Sequence, residues 1–412
     1  MGMVTSSTVI YNNGTLASTP YQFETCTTYE DAAVSLAYAY GPALLPCPSD
    51  PRRGLWRYSN LLPLAEGPVS YPLPVGDTPL MAPQRLRTLL RLPHLWIKDE
   101  TKAPTGSNKD RATALVLEYV LRNKISAVTC ASTGNVAVSL AVGAAAAGVK
   151  AFIFVASTVS DAKLNIMLLA GATVIKVAGG YEAAFALSRQ AARRLGWYER
   201  NTGVNPLTLE GKKTVAFEIW EQLGYRSPDV IIVPTGDGVT LSGIVKGFRE
   251  LRACGAVSSI PRVIGVQAET CQPLKRAWEN NALTIASSAQ VSTTIADGIA
   301  VDRPIGSALA LRDVRESEGA FVAVSDGEML QAIQLLARTT GILAEPAAAA
   351  ALAGLTVARR SGLVHAREEI VLLVTGSGLK RPEYLVTERT PLNVDEQEQP
   401  MDDIVASLAE LV

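Results

Sequence analysis

Between Leu95 and Val374 the chain repeats one unit many times: a short apolar run, a glycine-bearing turn, then an alanine-rich segment of helical length. The apolar runs are Leu95–Ile97, Ala127–Cys130, Ala151–Val155, Thr173–Val177, Val230–Val233, Val263–Val266 and Ile370–Val374. They lack strict alternation of apolar and polar residues, so they read as strands buried on both faces. The segments between them, Ala112–Leu121, Ala184–Leu195 and Leu241–Leu251 among others, read as helices that return the chain to start each strand in the same direction. This restricts the fold to the α/β class with mostly parallel sheets. A chain of 412 residues is long enough for two such lobes. In open parallel sheets a ligand sits beyond the carboxyl ends of the strands, where the glycine turns fall.

Residues 1–75 stand outside the repeat. Their scattered aromatics and prolines predict an irregular arm with one helix near Tyr29–Tyr40. The acidic stretch Val394–Asp403 reads as a linker before a short terminal helix. The expected division is an arm at 1–75, a large lobe from 76–114 and 201–390, a smaller mobile lobe at 115–200, and the acidic tail at 391–412. A formal net charge of -1 gives no electrostatic footprint for nucleic acid or an anionic membrane, so small molecules and further copies of the chain are the expected partners. The apolar stretch Val136–Val155 contains Lys150 and reads as a buried helix followed by a strand, not as a membrane span. Five scattered cysteines without a CxxC pair indicate neither a zinc ribbon nor a disulfide framework and fit a reducing cytoplasm. The two histidines, His94 and His365, are isolated, which argues against a histidine-centred triad or metal site.

Four segments carry chemistry. In the first, Pro104-Thr105-Gly106-Ser107-Asn108-Lys109-Asp110-Arg111, Lys109 stands in a turn entering a helix, where the positive end of the helix dipole favours a neutral, nucleophilic amine. A lone lysine so placed is ordinarily a solvated surface residue; the other three segments change that reading. Ser132-Thr133-Gly134-Asn135 opens a helix directly after a buried strand, so amides and hydroxyls converge as a carboxylate site or as a helix cap. Gly236-Asp237-Gly238-Val239-Thr240 joins a strand to a helix in the layout that cradles phosphate, although Asp237 is awkward beside a dianion and has an alternative role as a cap. Thr375-Gly376-Ser377-Gly378 ends a strand and holds a hydroxyl that could face a heterocyclic nitrogen.

Taken together and in this order, the four segments resemble the fold-type II pyridoxal-phosphate enzymes, and among these the threonine synthases. Gly76-Asp77-Thr78-Pro79-Leu80, Asn205-Pro206 with Leu209-Glu210-Gly211, and Glu345-Pro346 add to the likeness, which covers roughly residues 70 to 385. The resemblance implies a tryptophan synthase β-like architecture with pyridoxal 5'-phosphate between two α/β lobes. It implies Lys109 as the Schiff-base lysine and proton carrier, Asn135 on the cofactor's 3'-oxygen, backbone groups of Gly236, Asp237, Gly238, Val239 and Thr240 on its phosphate, and Thr375 at the ring nitrogen. Ser132 and Thr133 would hold the carboxylate of an amino-acid substrate. A hydroxyl at the ring nitrogen does not enforce its protonation, so elimination and replacement at the β or γ carbon become the expected chemistry. The family also implies a homodimer.

Departures from the family cluster where the distal end of the substrate would lie. An arginine implied to bind substrate phosphate is replaced by Thr208, the usual phenylalanine before the lysine by Asn108, and the usual asparagine before Pro104 by Ala103. One hydroxyl cannot reproduce a bidentate guanidinium grip. These changes predict a threonine synthase-like enzyme with a different leaving group; the alternatives are a threonine/serine dehydratase, a β-replacement enzyme similar to cysteate synthase, or a cofactor-binding homologue without activity. Lys212 and Lys213 read as a solvated helix start, although one could replace the missing charge, and Glu345 reads first as a helix start.

Overall fold

The computed structural model describes residues 4–11, 16–19, 32–64, 66–285 and 293–387. The linker and helix expected at 391–412 lie outside the described residues. The strands are β1 (Val4–Tyr11), β2 (Leu16–Thr19), β3 (Ala32–Tyr38), β4 (Leu80–Met81), β5 (Leu95–Asp99), β6 (Ala127–Ala131), β7 (Lys150–Ala156), β8 (Thr173–Val177), β9 (Tyr198–Glu199), β10 (Val230–Pro234), β11 (Arg262–Ala268), β12 (Ala320–Val324) and β13 (Ile370–Val374). The helices are α1 (Gln84–Leu90), α2 (Lys109–Arg122), α3 (Asn135–Ala147), α4 (Asp161–Leu169), α5 (Gly180–Leu195), α6 (Leu207–Gln222), α7 (Val239–Ala253), α8 (Pro273–Glu279), α9 (Ser307–Glu316), α10 (Asp326–Thr340) and α11 (Pro346–Arg360).

Each apolar run identified in the sequence is a strand. One sheet has the order β12-β11-β10-β13-β5-β4 and is parallel apart from β4, which pairs antiparallel with β5. A second, fully parallel sheet has the order β8-β7-β6-β9. Successive residues of β10 enter opposite cores. Val230 and Ile232 pack with Ile264, Leu372 and the alanines of α11, while Ile231 and Val233 pack with Phe217, Ile244 and Phe248. With all five residues of β10 buried, neither face has a use for a polar side chain. The small residues of α11 let it lie close against the sheet, and a Cβ on Gly354 would stand 2.3 Å from Val266 Cγ2.

The helix expected near Tyr29–Tyr40 is not formed, since Ala32–Tyr38 is a strand in an antiparallel sheet of order β2-β1-β3. Val34, Leu36 and Tyr38 are buried, whereas Ser35 and Ala37 are half-buried. Alanine-rich composition favours helix, but pairing with β1 buries this period-two face and prevails over propensity. The Tyr38 hydroxyl donates to Glu210 Oε2 at 2.6 Å, which ties the N-terminal sheet to α6.

A buried ionic cluster joins the large sheet to α2 and α6. Arg111 bonds both oxygens of Glu100, with Nε 2.8 Å from Oε2 and Nη2 2.7 Å from Oε1, and both oxygens of Glu218, each at 2.7 Å. Lys98 Nζ adds a 2.7 Å bond to Glu218 Oε2 and a 2.6 Å bond to the Thr78 carbonyl. Burial alone would raise the Glu218 carboxyl, but Arg111 and Lys98 overcome it and hold the group at about 2 against an ordinary 4.5. A depressed carboxyl contributes stability above its unfolded value and loses it as pH falls toward the folded one. Glu218 is therefore expected to contribute on the order of 3 kcal/mol at neutral pH, lost between pH 4.5 and about 2. Urea titrations across that range in wild type and Glu218→Gln check this: the wild type should lose stability steeply and the variant, already weakened, much less.

Candidate active site

The turn carrying Lys109 is fastened on two sides. Towards β13, the Asn108 amide donates to the Thr375 carbonyl at 2.9 Å and the Ser377 amide to the Gly106 carbonyl at 2.8 Å. Lys380 Nζ reaches the carbonyls of Thr105 and Gly106 at 2.7 and 3.0 Å. Gly106 needs its φ of +69° for this path, which a side chain would strain. Within the turn, Asp110 accepts from the Thr105 amide at 2.7 Å and from its hydroxyl at 2.6 Å. Lys109 is thus the first residue of a helix whose next two side chains lock it in place, Asp110 into the turn and Arg111 into the core. Its amine donates to Asn108 Oδ1 at 2.8 Å. Burial draws that amine below its ordinary value; Asp237 and Glu345 oppose the shift, and Arg200 reinforces it. Desolvation is the leading cause of the shift, in place of the helix terminus to which the sequence pointed.

Asn135 begins α3 and is buried, with Nδ2 donating to Glu345 Oε1 at 2.7 Å. Glu345 caps α11 by position, with Pro346 following, yet its side chain bonds no amide of that helix. It turns toward the strand-ending turn instead, where a Cβ on Gly376 would meet Glu345 Oε1 at 2.4 Å and Asn135 Nδ2 at 3.3 Å. Ser132 and Thr133 are half-buried ahead of α3. The cap position belongs to Gly134, and Ser132 Oγ accepts from the Gly134 amide at 3.1 Å.

The glycine turn lies against the same space, since Lys109 and residues 236–238 and Thr240 line one cavity together with Gly298. Asn108 Nδ2 stands 3.4 Å from Thr240 Oγ1, which joins the lysine turn to α7. Gly236 and Gly238 are held by close packing: a Cβ on Gly236 would lie 3.0 Å from the Gly298 carbonyl, and Gly238 has φ +84°. The first amides of α7 have no acceptor within their own helix, the arrangement by which helix starts hold anions. Asp237 Oδ1 takes one of them, the Val239 amide, at 2.9 Å, so that amide is already satisfied by the chain. Burial would raise the Asp237 carboxyl, but Lys212 and then Lys109 hold it below its ordinary value.

One expectation about α6 is altered. Lys212 and Lys213 are not solvated, being 1% and 0% exposed, because α6 is buried around its whole circumference from Leu207 to Trp220. Charges on such a helix must be met inside the protein. Lys213 is met by Glu210 and Glu250. Among the described residues Lys212 has no hydrogen-bond partner, and the nearest carboxylate oxygen, Asp237 Oδ2, is 3.9 Å away. Burial, only partly offset by Asp237, brings its amine down to about 7. Thr208, one turn earlier, is fully buried with its hydroxyl donating to the Asn205 carbonyl at 2.6 Å.

Arg200 was not singled out from the sequence. It is fully buried, and its hydrogen bonds go to uncharged acceptors: Thr113 Oγ1 at 3.2 Å, Thr202 Oγ1 at 2.7 Å and the Lys109 carbonyl at 3.4 Å. An isolated arginine in a sequence carries no sign that it will be desolvated. Lys109, Lys212 and Arg200 all act electrostatically on Asp237. The site thus gathers three basic groups around the Asp237 carboxylate beside the first amides of α7, and Asn135 Oδ1, Glu345 Oε2 and Lys212 Nζ are buried without hydrogen-bond partners among the described residues. Those features fit a phosphorylated, polar-ringed cofactor such as pyridoxal phosphate.

Comparison with known proteins agrees. Residues 71–376 match the family described as pyridoxal-phosphate dependent enzyme. The chain is 36% identical over 341 residues to threonine synthase of Methanosarcina acetivorans, covering 82% of each chain. It is 33% identical over 342 residues to threonine synthase of Mycobacterium bovis, covering 82% of this chain and 92% of that one. In fold it is similar to diaminopropionate ammonia lyase of Escherichia coli, with a TM-score of 0.64 at 18% identity over 74% of this chain and 86% of the other. Threonine deaminase isoform 2 of Solanum lycopersicum gives a TM-score of 0.62 at 20% identity, covering 74% and 86%. With its parallel-sheet architecture, its lysine at a helix start and a family match spanning most of its length, the chain belongs to the fold-type II pyridoxal-phosphate dependent enzymes.

Proposed function

We propose that this enzyme eliminates or replaces a substituent at the β or γ carbon of an amino acid, in the manner of a threonine synthase but with an altered pocket for the substrate's distal group. The observation that carries this reading is the convergence of Lys109, Asn135, the 236–240 turn and the Thr375 turn beyond the strand ends. When bound, pyridoxal phosphate supplies an electron sink conjugated to the substrate's α carbon. Lys109, already drawn toward its neutral form by burial, takes a proton from that carbon and delivers it elsewhere on the substrate. Asn135 has a second amide hydrogen beyond the one given to Glu345, and with it would hold the cofactor's 3'-oxygen. Thr375 would offer the ring nitrogen its hydroxyl, while the amides of Gly236, Asp237, Gly238 and Thr240 would hold the phosphate. Ser132 and Thr133 receive the substrate carboxylate at the start of α3.

The altered pocket rests on Thr208, whose hydroxyl is already bonded to the Asn205 carbonyl, and on Asn108, which holds the Lys109 amine. Neither offers a permanent cation to a distal phosphate. Purified enzyme given O-phosphohomoserine is expected to form threonine at no more than roughly a hundredth of a common biosynthetic rate of about 10 per second. Turnover at the full biosynthetic rate would contradict the altered pocket. We also propose a cytoplasmic homodimer in which residues 115–200 move as the smaller lobe. The thiols of Cys47, Cys130 and Cys254 support a reducing setting, and the family supports the dimer. No described helix is long and apolar enough to cross a membrane.

A further inference from the structure

Asp237 stands in the turn that faces the cofactor's phosphate, and a carboxylate there repels it. Lys212 lies 3.9 Å from Asp237 Oδ2, is 1% exposed and has no hydrogen-bond partner among the described residues. An amine buried this way is costly unless a ligand or a counter-ion repays it. Its neighbour Lys213 shows the ordinary solution, ion pairs with Glu210 and Glu250. Lys212 cannot swing away with its helix. Gly243 brings α7 so near α6 that a Cβ there would lie 3.1 Å from Lys212 Cβ and 3.2 Å from its carbonyl carbon. The cations acting on the Asp237 carboxylate are Lys212, Lys109 and Arg200. Once the Lys109 amine is engaged by the cofactor's aldehyde, Lys212 and Arg200 remain, and of these Arg200 is tied to Thr113, Thr202 and the Lys109 carbonyl.

We infer that Lys212 is the counter-charge that lets the 236–240 turn accept the cofactor's phosphate in spite of Asp237, the two residues acting as one unit. This rests on the reading of Lys109 as the residue that holds pyridoxal phosphate. Lys212 is a positioning residue here, and no proton transfer is assigned to it.

The test uses the full chain stripped of cofactor and titrated, by absorbance, with pyridoxal phosphate and separately with pyridoxal, which lacks the phosphate. Lys212→Gln is expected to weaken pyridoxal phosphate on the order of a hundredfold, since it strands a half-buried carboxylate beside the phosphate, and to leave pyridoxal within about threefold. Asp237→Asn should bind pyridoxal phosphate at least as tightly as wild type, and the double variant D237N/K212Q should return to within about tenfold of wild type. Unchanged affinity in K212Q, an equal loss for pyridoxal, or a double variant as weak as K212Q overturns the inference. Should K212Q fail to fold, the double variant decides by the same criterion. Wild type that binds neither compound instead removes the reading of Lys109, and this inference with it.

Discussion

Replacing Lys109 with alanine is expected to lower turnover at least about a thousandfold while leaving the fold intact. In the function proposed above the side chain carries two duties, nucleophile toward the cofactor's aldehyde and proton carrier to the substrate, and general acid–base action alone accounts for roughly a hundredfold to ten-thousandfold. Its structural contribution is small by comparison: one hydrogen bond to Asn108 from a half-buried position. Thermal unfolding of Lys109→Ala should therefore stay within a few degrees of wild type. Lys109→Arg should be equally inactive, because a guanidinium keeps its proton at any working pH. Steady-state kinetics on whichever amino acid proves to be the substrate, set beside the unfolding temperature, separates the two effects. Activity retained in either variant would show that another residue does this work.

Arg111→Met is expected to be the most damaging single change to stability, by about 3–5 kcal/mol, because it removes the cation and leaves two carboxylates in the core. Glu100 and Glu218 are 0% and 2% exposed, and Arg111 forms both of their principal contacts. Lys98 remains on Glu218, but among the described residues Glu100 keeps only the Thr78 hydroxyl at 2.7 Å. Arg111→Lys should recover part of the loss, since a single ammonium cannot bond two carboxylates edge-on as a guanidinium does. Denaturant midpoints for the three proteins measure the difference. A loss below about 1 kcal/mol in Arg111→Met would mean that the cluster is not a buried anchor of the lysine turn.

The two parallel sheets were legible because their strands are covered on both faces, which the sequence records directly as apolar runs such as Val230–Val233. Strand β3 was not, because its alanines suit a helix and only its partner β1, distant from the repeat, settles the matter. The Lys109 turn and the 236–240 turn were legible through their glycines, which mark backbone paths that a side chain would obstruct. Charge was harder to place. Lys212 and Lys213 form a pair that suits a wet surface, and nothing local reveals that α6 is enclosed on all sides. Arg200 and the tilt of Glu345 toward Asn135 likewise depend on contacts across long stretches of chain, between residues that no periodicity connects.

The attachment of pyridoxal phosphate to Lys109 is tested most directly by reducing the cofactor-loaded enzyme with borohydride, digesting it and mapping the modified peptide by mass spectrometry. A stoichiometric reduced pyridoxyl group on the side chain of Lys109 is the predicted result. An adduct on a different lysine, or protein recovered without one although cofactor was bound, would contradict the assignment.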